Sequence, residues 1–244
     1  MALTLDLRGL TGGVPLDVQL TLGDAPVALI GPSGAGKTTI LLAILGLLRP
    51  VQGRIALGEQ VLFDAAAGVD LPPELRRLGY VPQHNGLFPH LDVRDNVAFG
   101  LGCGPRPRGK AERRARAVAV LEQLSLAHLA DRKPRDVSGG EAQRIALARA
   151  VATEPLALLL DEPLMALDAV TRREVRGWLQ KVLSELRIPA LIVTHELADA
   201  KALAPSVAVL EAGRVTQHGT VAELGRQPAS AFVEAWVDSQ APRG

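Results

Sequence analysis

The chain has 244 residues, 27 Lys plus Arg against 26 Asp plus Glu, a formal net charge of +1, and 48% hydrophobic residues. That length suits one large domain, or a large one with a small subdomain, and so much hydrophobicity excludes a disordered chain. Balanced charge argues against a protein that tracks nucleic acid by neutralising phosphates, the single cysteine, Cys103, excludes an internal disulfide framework, and only 3% of residues are aromatic, so the core must be aliphatic.

In chain order, residues 3 to 30 read as strands broken at Gly12-Gly13 and Gly23-Asp24. Leu3, Leu5 and Leu7 alternate, and Val27 to Ile30 is a short apolar run suited to a buried strand. Asp6 stands where a secretion signal has its apolar centre, and the longest apolar stretch, Ile40 to Leu48, is about half of a bilayer crossing. The expectation is a cytoplasmic protein with no membrane span. Further β-like runs at Arg54 to Leu57, Gly79 to Val81, Leu156 to Leu160, Ala190 to Thr194 and Val207 to Leu210 alternate with helical spacing. The pattern predicts an α/β fold with a mainly parallel sheet. From Gly86 to Ala152 the signals are helical, and a helix is expected from Lys110 to Leu124 after a Gly- and Pro-rich entry. The basic cluster Arg106, Arg108, Lys110, Arg113, Arg114 and Arg116 reads as a solvated helix face, with attraction to anionic lipid as the sharper alternative.

Three segments carry chemistry. Gly31, Pro32, Ser33, Gly34, Ala35, Gly36, Lys37 and Thr38 fit the phosphate-loop pattern G-x-x-x-x-G-K-[ST], set between an apolar strand and an apolar helical run. Its glycines let successive amides turn inward onto phosphates, Lys37 reaches the terminal phosphates, and the Thr38 hydroxyl is placed to bind Mg²⁺. The run Leu156 to Leu160 ends in Asp161, a metal-side carboxylate, and Glu162, which could polarise an attacking water. Alone, such an ending is a helix cap or a solvated turn; beside a phosphate loop the functional reading is the stronger. Ser138 and Glu141 have the spacing of a capping box, while Gly139 and Gly140 leave a helix start stripped of side chains, a second anion-binding surface.

The phosphate loop, Tyr80-Val81-Pro82-Gln83, the run VSGGEAQR from Val137, LLLDEP from Leu158, Leu167-Asp168 and Val193-Thr194-His195 follow one another in the order and rough spacing of an ATP-binding cassette. Over nearly its whole length the chain resembles the ATPase subunits of ABC transporters. The resemblance implies an α/β P-loop NTPase core with a mixed sheet and an N-terminal antiparallel β subdomain (residues 1–85 and 153–244), into which a helical signature subdomain (86–152) is inserted. It implies ATP bound by Gly31 to Thr38, Thr39 and Gln83, with Mg²⁺ held by Thr38, Gln83 and, through water, Asp161. Hydrolysis would use water oriented by Glu162 and His195, with Lys37 stabilising charge. Ser138, Gly139, Gly140 and Glu141 would complete the ATP site of a second copy in a head-to-tail homodimer, with Asp168 at the interface.

Further partners implied are integral membrane permease subunits at the cytoplasmic face of the membrane and, indirectly, a solute-binding protein, with no nucleic acid. Leu87, Phe88, Pro89 and Leu91 would meet the permease, core packing being the alternative. The stretch from Gly53 to Gly100, and SGGE in place of SGGQ, resemble molybdate importers. Importers of sulfate, ferric iron and polyamines share much of the pattern; DNA-repair and translation ATPases are more distant. Only a short tail follows Gly219, so no C-terminal regulatory domain is expected. Val137 and Met165 replace a usual leucine and serine. No aromatic residue precedes Phe63, so an aliphatic surface within Leu10 to Leu16 is expected where the family stacks adenine on a ring.

Overall fold

The computed structural model describes residues 1–102 and 109–238. Cys103, Arg106 and Arg108 lie outside them. Strands β1 (Leu3–Thr11) and β2 (Val14–Leu22) pair antiparallel across a two-residue turn. Gly12 (φ 56°) and Gly13 (φ 83°) supply the two left-handed positions that such a hairpin requires. The free edge of β1 takes β4 (Gln52–Leu57), and β5 (Gln60–Asp64) and β6 (Val69–Asp70) extend the antiparallel side outward.

The opposite side is parallel but for one antiparallel pair, the last two strands of the chain. From β2 the sheet continues through β11 (Arg214–Gly219), β10 (Ser206–Glu211), β3 (Val27–Ile30), β9 (Ala190–Val193), β8 (Ala157–Asp161) and β7 (Leu78–Val81), eleven strands among the described residues, in order 6-5-4-1-2-11-10-3-9-8-7. The sheet is therefore mixed, and the expectation of a mainly parallel one holds only from β10 to β7. The strands absent from the sequence reading are β5, β6 and β11. β6 has two residues and β11 alternates intermediate and exposed positions, so neither presents an apolar run; β5 holds Val61-Leu62-Phe63, a run of three that the sequence reading omits.

Both faces of the parallel half are covered, which is why its strands are continuously apolar. In β8 and β9, Leu158, Leu160, Ala190 and Ile192 face the helices α4 (Gly139–Ala152) and α5 (Ala169–Leu186). Ala157, Leu159, Leu191 and Val193 face α1 (Lys37–Leu45) and the antiparallel strands. A third cluster joins α6 (Leu197–Leu203), α7 (Val221–Arg226) and α8 (Ala231–Asp238) to β3 and β10. Among the described buried hydrophobics only Phe63 and Trp236 are aromatic, as composition requires. Arg76, 1% exposed, fixes the far end of α1: its Nη1 donates to the carbonyls of Ala43 and Ile44, and its Nη2 to Asp70. A cation on the last carbonyls of a helix offsets the negative end of its dipole.

Residues 86–152 contribute α2 (Val93–Ala98), α3 (Lys110–Gln123), α4 and short 3₁₀ turns, with no strand among those described. The basic face of α3 is less free than expected. Arg114 binds Asp95 through Nε at 2.7 Å and Nη2 at 2.5 Å, and Arg116 pairs with Glu154 at 2.9 Å, so these charges hold α3 to α2 and to the end of α4. In the apolar segment after Gln83, Leu87 packs on the core, while Phe88 stacks on half-exposed Phe99 with ring centroids 4.3 Å apart.

Candidate nucleotide site

The site follows from strand order. Parallel strands β3, β9, β8 and β7 are neighbours, and their registers (Leu29 opposite Val193, Asp161 opposite Val193, Val81 opposite Leu160) release four loops side by side at one edge. Those loops begin at Gly31, Thr194, Glu162 and Pro82, so residues far apart in sequence meet where open α/β sheets bind ligands.

Gly31 leaves β3 with no room for a side chain, since a Cβ there would lie 2.0 Å from the carbonyl oxygen of Leu210. Gly36 caps α1 in the left-handed region (φ 103°) without a side-chain hydrogen bond, and no acidic residue stands in the first turn. The amides at this helix start are thus left for an external anion. Lys37 Nζ curls back to donate to the carbonyls of Gly31 (2.7 Å) and Pro32 (2.9 Å). Burial pushes its pKa down, against the pull of Glu162 and Asp161. Ser33, Gly34 and Thr38 are exposed, Ala35 is buried and Thr39 half-buried. Half-buried Val14 and Leu16, only 3% exposed, lie over Gly36, while Leu10 is 57% exposed.

Asp161 ends β8 only 5% exposed and takes a hydrogen bond from the Thr38 side chain. Burial raises its pKa, and the carboxylate of Glu162 adds to the rise; the Thr38 bond and Lys37 oppose it less strongly. Glu162 has φ 47°, a left-handed conformation uncommon for a residue with a Cβ and costing about 1–3 kcal/mol. Its amide donates to Val193 at 2.9 Å, and its Oε2 lies 3.4 Å from Nδ1 of His195. The other imidazole nitrogen, Nε2, is 3.8 Å from Glu196, and the His195 carbonyl accepts from Trp236 Nε1 at 2.8 Å. Gln83 Nε2 donates to Met165 Sδ at 3.4 Å. The Gln83–Met165 and His195–Trp236 contacts are new to the structure, because their partners lie 82 and 41 residues apart and no local sequence pattern announces them; the His195–Glu196 contact is between neighbours and shows only once the side chains are placed.

Ser138 to Glu141 form a complete capping box on α4, with the Ser138 amide donating to Glu141 at 2.7 Å. The two glycines have different reasons. A Cβ on Gly140 would lie 2.5 Å from Thr171 Cγ2, so close packing of α4 on α5 requires it; one on Gly139 would meet Leu167 at an ordinary 3.5 Å. Gly139 is therefore unexplained by packing, and among the described residues no hydrogen bond or ion pair joins 138–141 to the phosphate loop. Asp168 caps α5, accepting from the amides of Val170 and Thr171, and its carboxyl is held below the usual range by the Thr171 side chain first and then by these amides.

A divalent cation fits the donors present. Thr38, Asp161, Glu162 and Gln83 offer only hard oxygen atoms, and no cluster of three or more His, Cys, Asp or Glu forms a cage among the described residues. That is the pattern of Mg²⁺, which takes few protein ligands and completes its shell with water and phosphate.

A bare-amide phosphate loop, a buried carboxylate bonded to its threonine and a carboxylate–imidazole pair at the same edge define a phosphate-loop nucleotide cassette. The profile of the ABC transporter family matches residues 16–165, and the chain belongs to that family. It is similar to the molybdenum import ATP-binding protein ModC of Brucella abortus (42% identical over 222 residues, covering 91% of this chain and 60% of that protein). It is also similar to ModC of Mycobacterium tuberculosis (44% identical; 93% of this chain, 63% of that one) and to the sulfate/thiosulfate import ATP-binding protein CysA 1 of Chromobacterium violaceum (47%; 91% and 62%). The chain spans about three fifths of the length of these relatives. A dimeric ATP-binding cassette in a post-hydrolysis state bound to ADP and Pi superimposes with a TM-score of 0.72, at 29% identity over 89% of this chain and 98% of that one.

Proposed function

We propose that the chain is the ATP-hydrolysing subunit of an ABC importer, working as a head-to-tail homodimer on the cytoplasmic face of a membrane permease, with molybdate or tungstate as the solute. The carrying observation is the Glu162–His195 pair, 3.4 Å apart, one residue from the Asp161 carboxylate that Thr38 engages. The amides of Gly31 to Thr39 bind the phosphates, and Lys37 neutralises charge on the terminal ones. Thr38, Gln83 and, through water, Asp161 would hold Mg²⁺, which would supply positive charge to offset that on the transferring phosphoryl group. Glu162 orients a water for in-line attack on the γ-phosphorus and accepts its proton, while His195 holds the Glu162 carboxylate in place and contacts the γ-phosphate.

Ser138, Gly139 and Gly140 act on the ATP of the partner copy, a reading supported by the helix start that Gly139 leaves bare. Residues 1–85 and 153–244 serve as the nucleotide-binding core and 86–152 as the helical subdomain. No described helix is long and apolar enough to cross a membrane; the permease is the membrane partner to which the energy of hydrolysis would pass. Molybdate is favoured by the ModC relatives and sulfate by the CysA relative, since the cassette itself does not touch the solute. ATPase activity of the reconstituted transporter with its binding protein separates them: stimulation by molybdate and tungstate but not by sulfate is expected, and the reverse order would reassign the solute.

A further inference from the structure

One turn into α5 from Asp168, Arg172 reaches two loops at once. Its Nη2 donates to the carbonyls of Met165 (3.1 Å) and Leu167 (3.3 Å), the backbone that leads into Asp168. Its Nη1 lies 3.3 Å from Oε1 of Glu196, and that same oxygen is 3.8 Å from His195 Nε2. The next turn of α5 repeats the pattern without the loop contacts: Arg176 Nη1 lies 3.1 Å from Oδ1 of Asp199, which is 3% exposed. Two arginines four residues apart on one helix face thus grip two carboxylates of the segment that opens α6. Only the rung at Arg172 also holds the Asp168 loop. A planar guanidinium with separate donors can serve carbonyls and a carboxylate together, which the single point charge of lysine cannot.

We propose that Arg172 is a positioning residue for hydrolysis: by binding the Met165 and Leu167 carbonyls and the Glu196 carboxylate with one guanidinium, it joins the Asp168 loop and the His195 loop into one unit, so that a contact made at Asp168 sets the place of His195 in the same subunit. This rests on the ATPase reading above and on Asp168 lying at the dimer interface.

The test compares the full-length wild type with Arg172→Met, Arg172→Lys, Arg176→Met, Asp168→Ala and the double variant Asp168→Ala/Arg172→Met. For Arg172→Met, ATP affinity and KM stay within about twofold while kcat falls about tenfold or more, the scale on which a misplaced catalytic group acts. Arg172→Lys recovers only part of the loss. Arg176→Met lowers Tm but keeps kcat within about twofold, and the double variant is no slower than the slower single, because coupled residues do not act additively. Wild-type kcat in Arg172→Met, an equal kcat loss in Arg176→Met, or losses that multiply in the double variant would each overturn the proposal. Hydrogen exchange reads the clamp without hydrolysis: amides of residues 194–197 in nucleotide-free Arg172→Met exchange about tenfold faster than in the wild type, and unchanged protection refutes the clamp. A wild type that turns over no ATP would refute the ATPase reading instead, with hydrogen exchange still deciding the clamp.

Discussion

At the scale of single residues, the site is built from groups held against their own preferences. Asp161 is buried with its pKa raised, so between the ordinary carboxylate pKa and the raised one the native state binds more protons than the unfolded chain. Stability therefore falls as pH rises through that window, and the penalty is fully present above it. Asp161→Asn removes the charge, and because desolvation outweighs the Thr38 bond and the attraction to Lys37, Tm of the nucleotide-free protein rises by about 2–4 °C near pH 7. The gain disappears below about pH 4, where the carboxyl is protonated in both states. Thermal unfolding across that pH range checks this; an equal gain at all pH values would assign it to packing. The strained Glu162 backbone belongs with it: a residue at φ 47° is kept where its carboxylate meets His195, not where the chain would relax.

At the scale of elements, the two glycines that open α4 separate stability from activity. Gly140→Ala drives a methyl to 2.5 Å from Thr171 and lowers stability, since overpacking costs about 1–3 kcal/mol against up to about 1 kcal/mol of helix propensity gained. Gly139→Ala has room and leaves the urea midpoint unchanged or slightly higher, yet it lowers ATPase activity, because its methyl stands on the surface that would meet the partner's phosphate. Denaturation curves and ATPase rates of the two variants check the pair, and equal activity losses tied to equal stability losses would deny Gly139 its separate role. Much at this scale was legible in the sequence. The Ser138–Glu141 spacing announced the box that caps α4, and the apolar run before Asp161 announced β8. Strand β11 was not legible, because its half-exposed alternation carries no apolar run, and neither was Arg76, whose carbonyl partners on α1 lie 33 and 32 residues away.

At the scale of the whole molecule, the parallel order β3-β9-β8-β7 turns scattered motifs into one edge. That order was not legible in the sequence, since periodicity identifies strands and not their neighbours. The same edge explains why the reading is of a dimer: the chain's own helix α4 offers a bare, capped start that bonds to nothing in its own phosphate loop, so a catalytic role for Gly139 needs a second copy. The dimeric cassette to which this fold is similar, bound to ADP and Pi, supports that reading. The most direct test is the mass in solution of the Glu162→Gln variant with and without MgATP, measured by light scattering. The expected mass is 25.8 kDa without nucleotide and about twice that with it, the doubling being lost when Ser138→Arg is added. A variant that binds MgATP and stays at 25.8 kDa would contradict it.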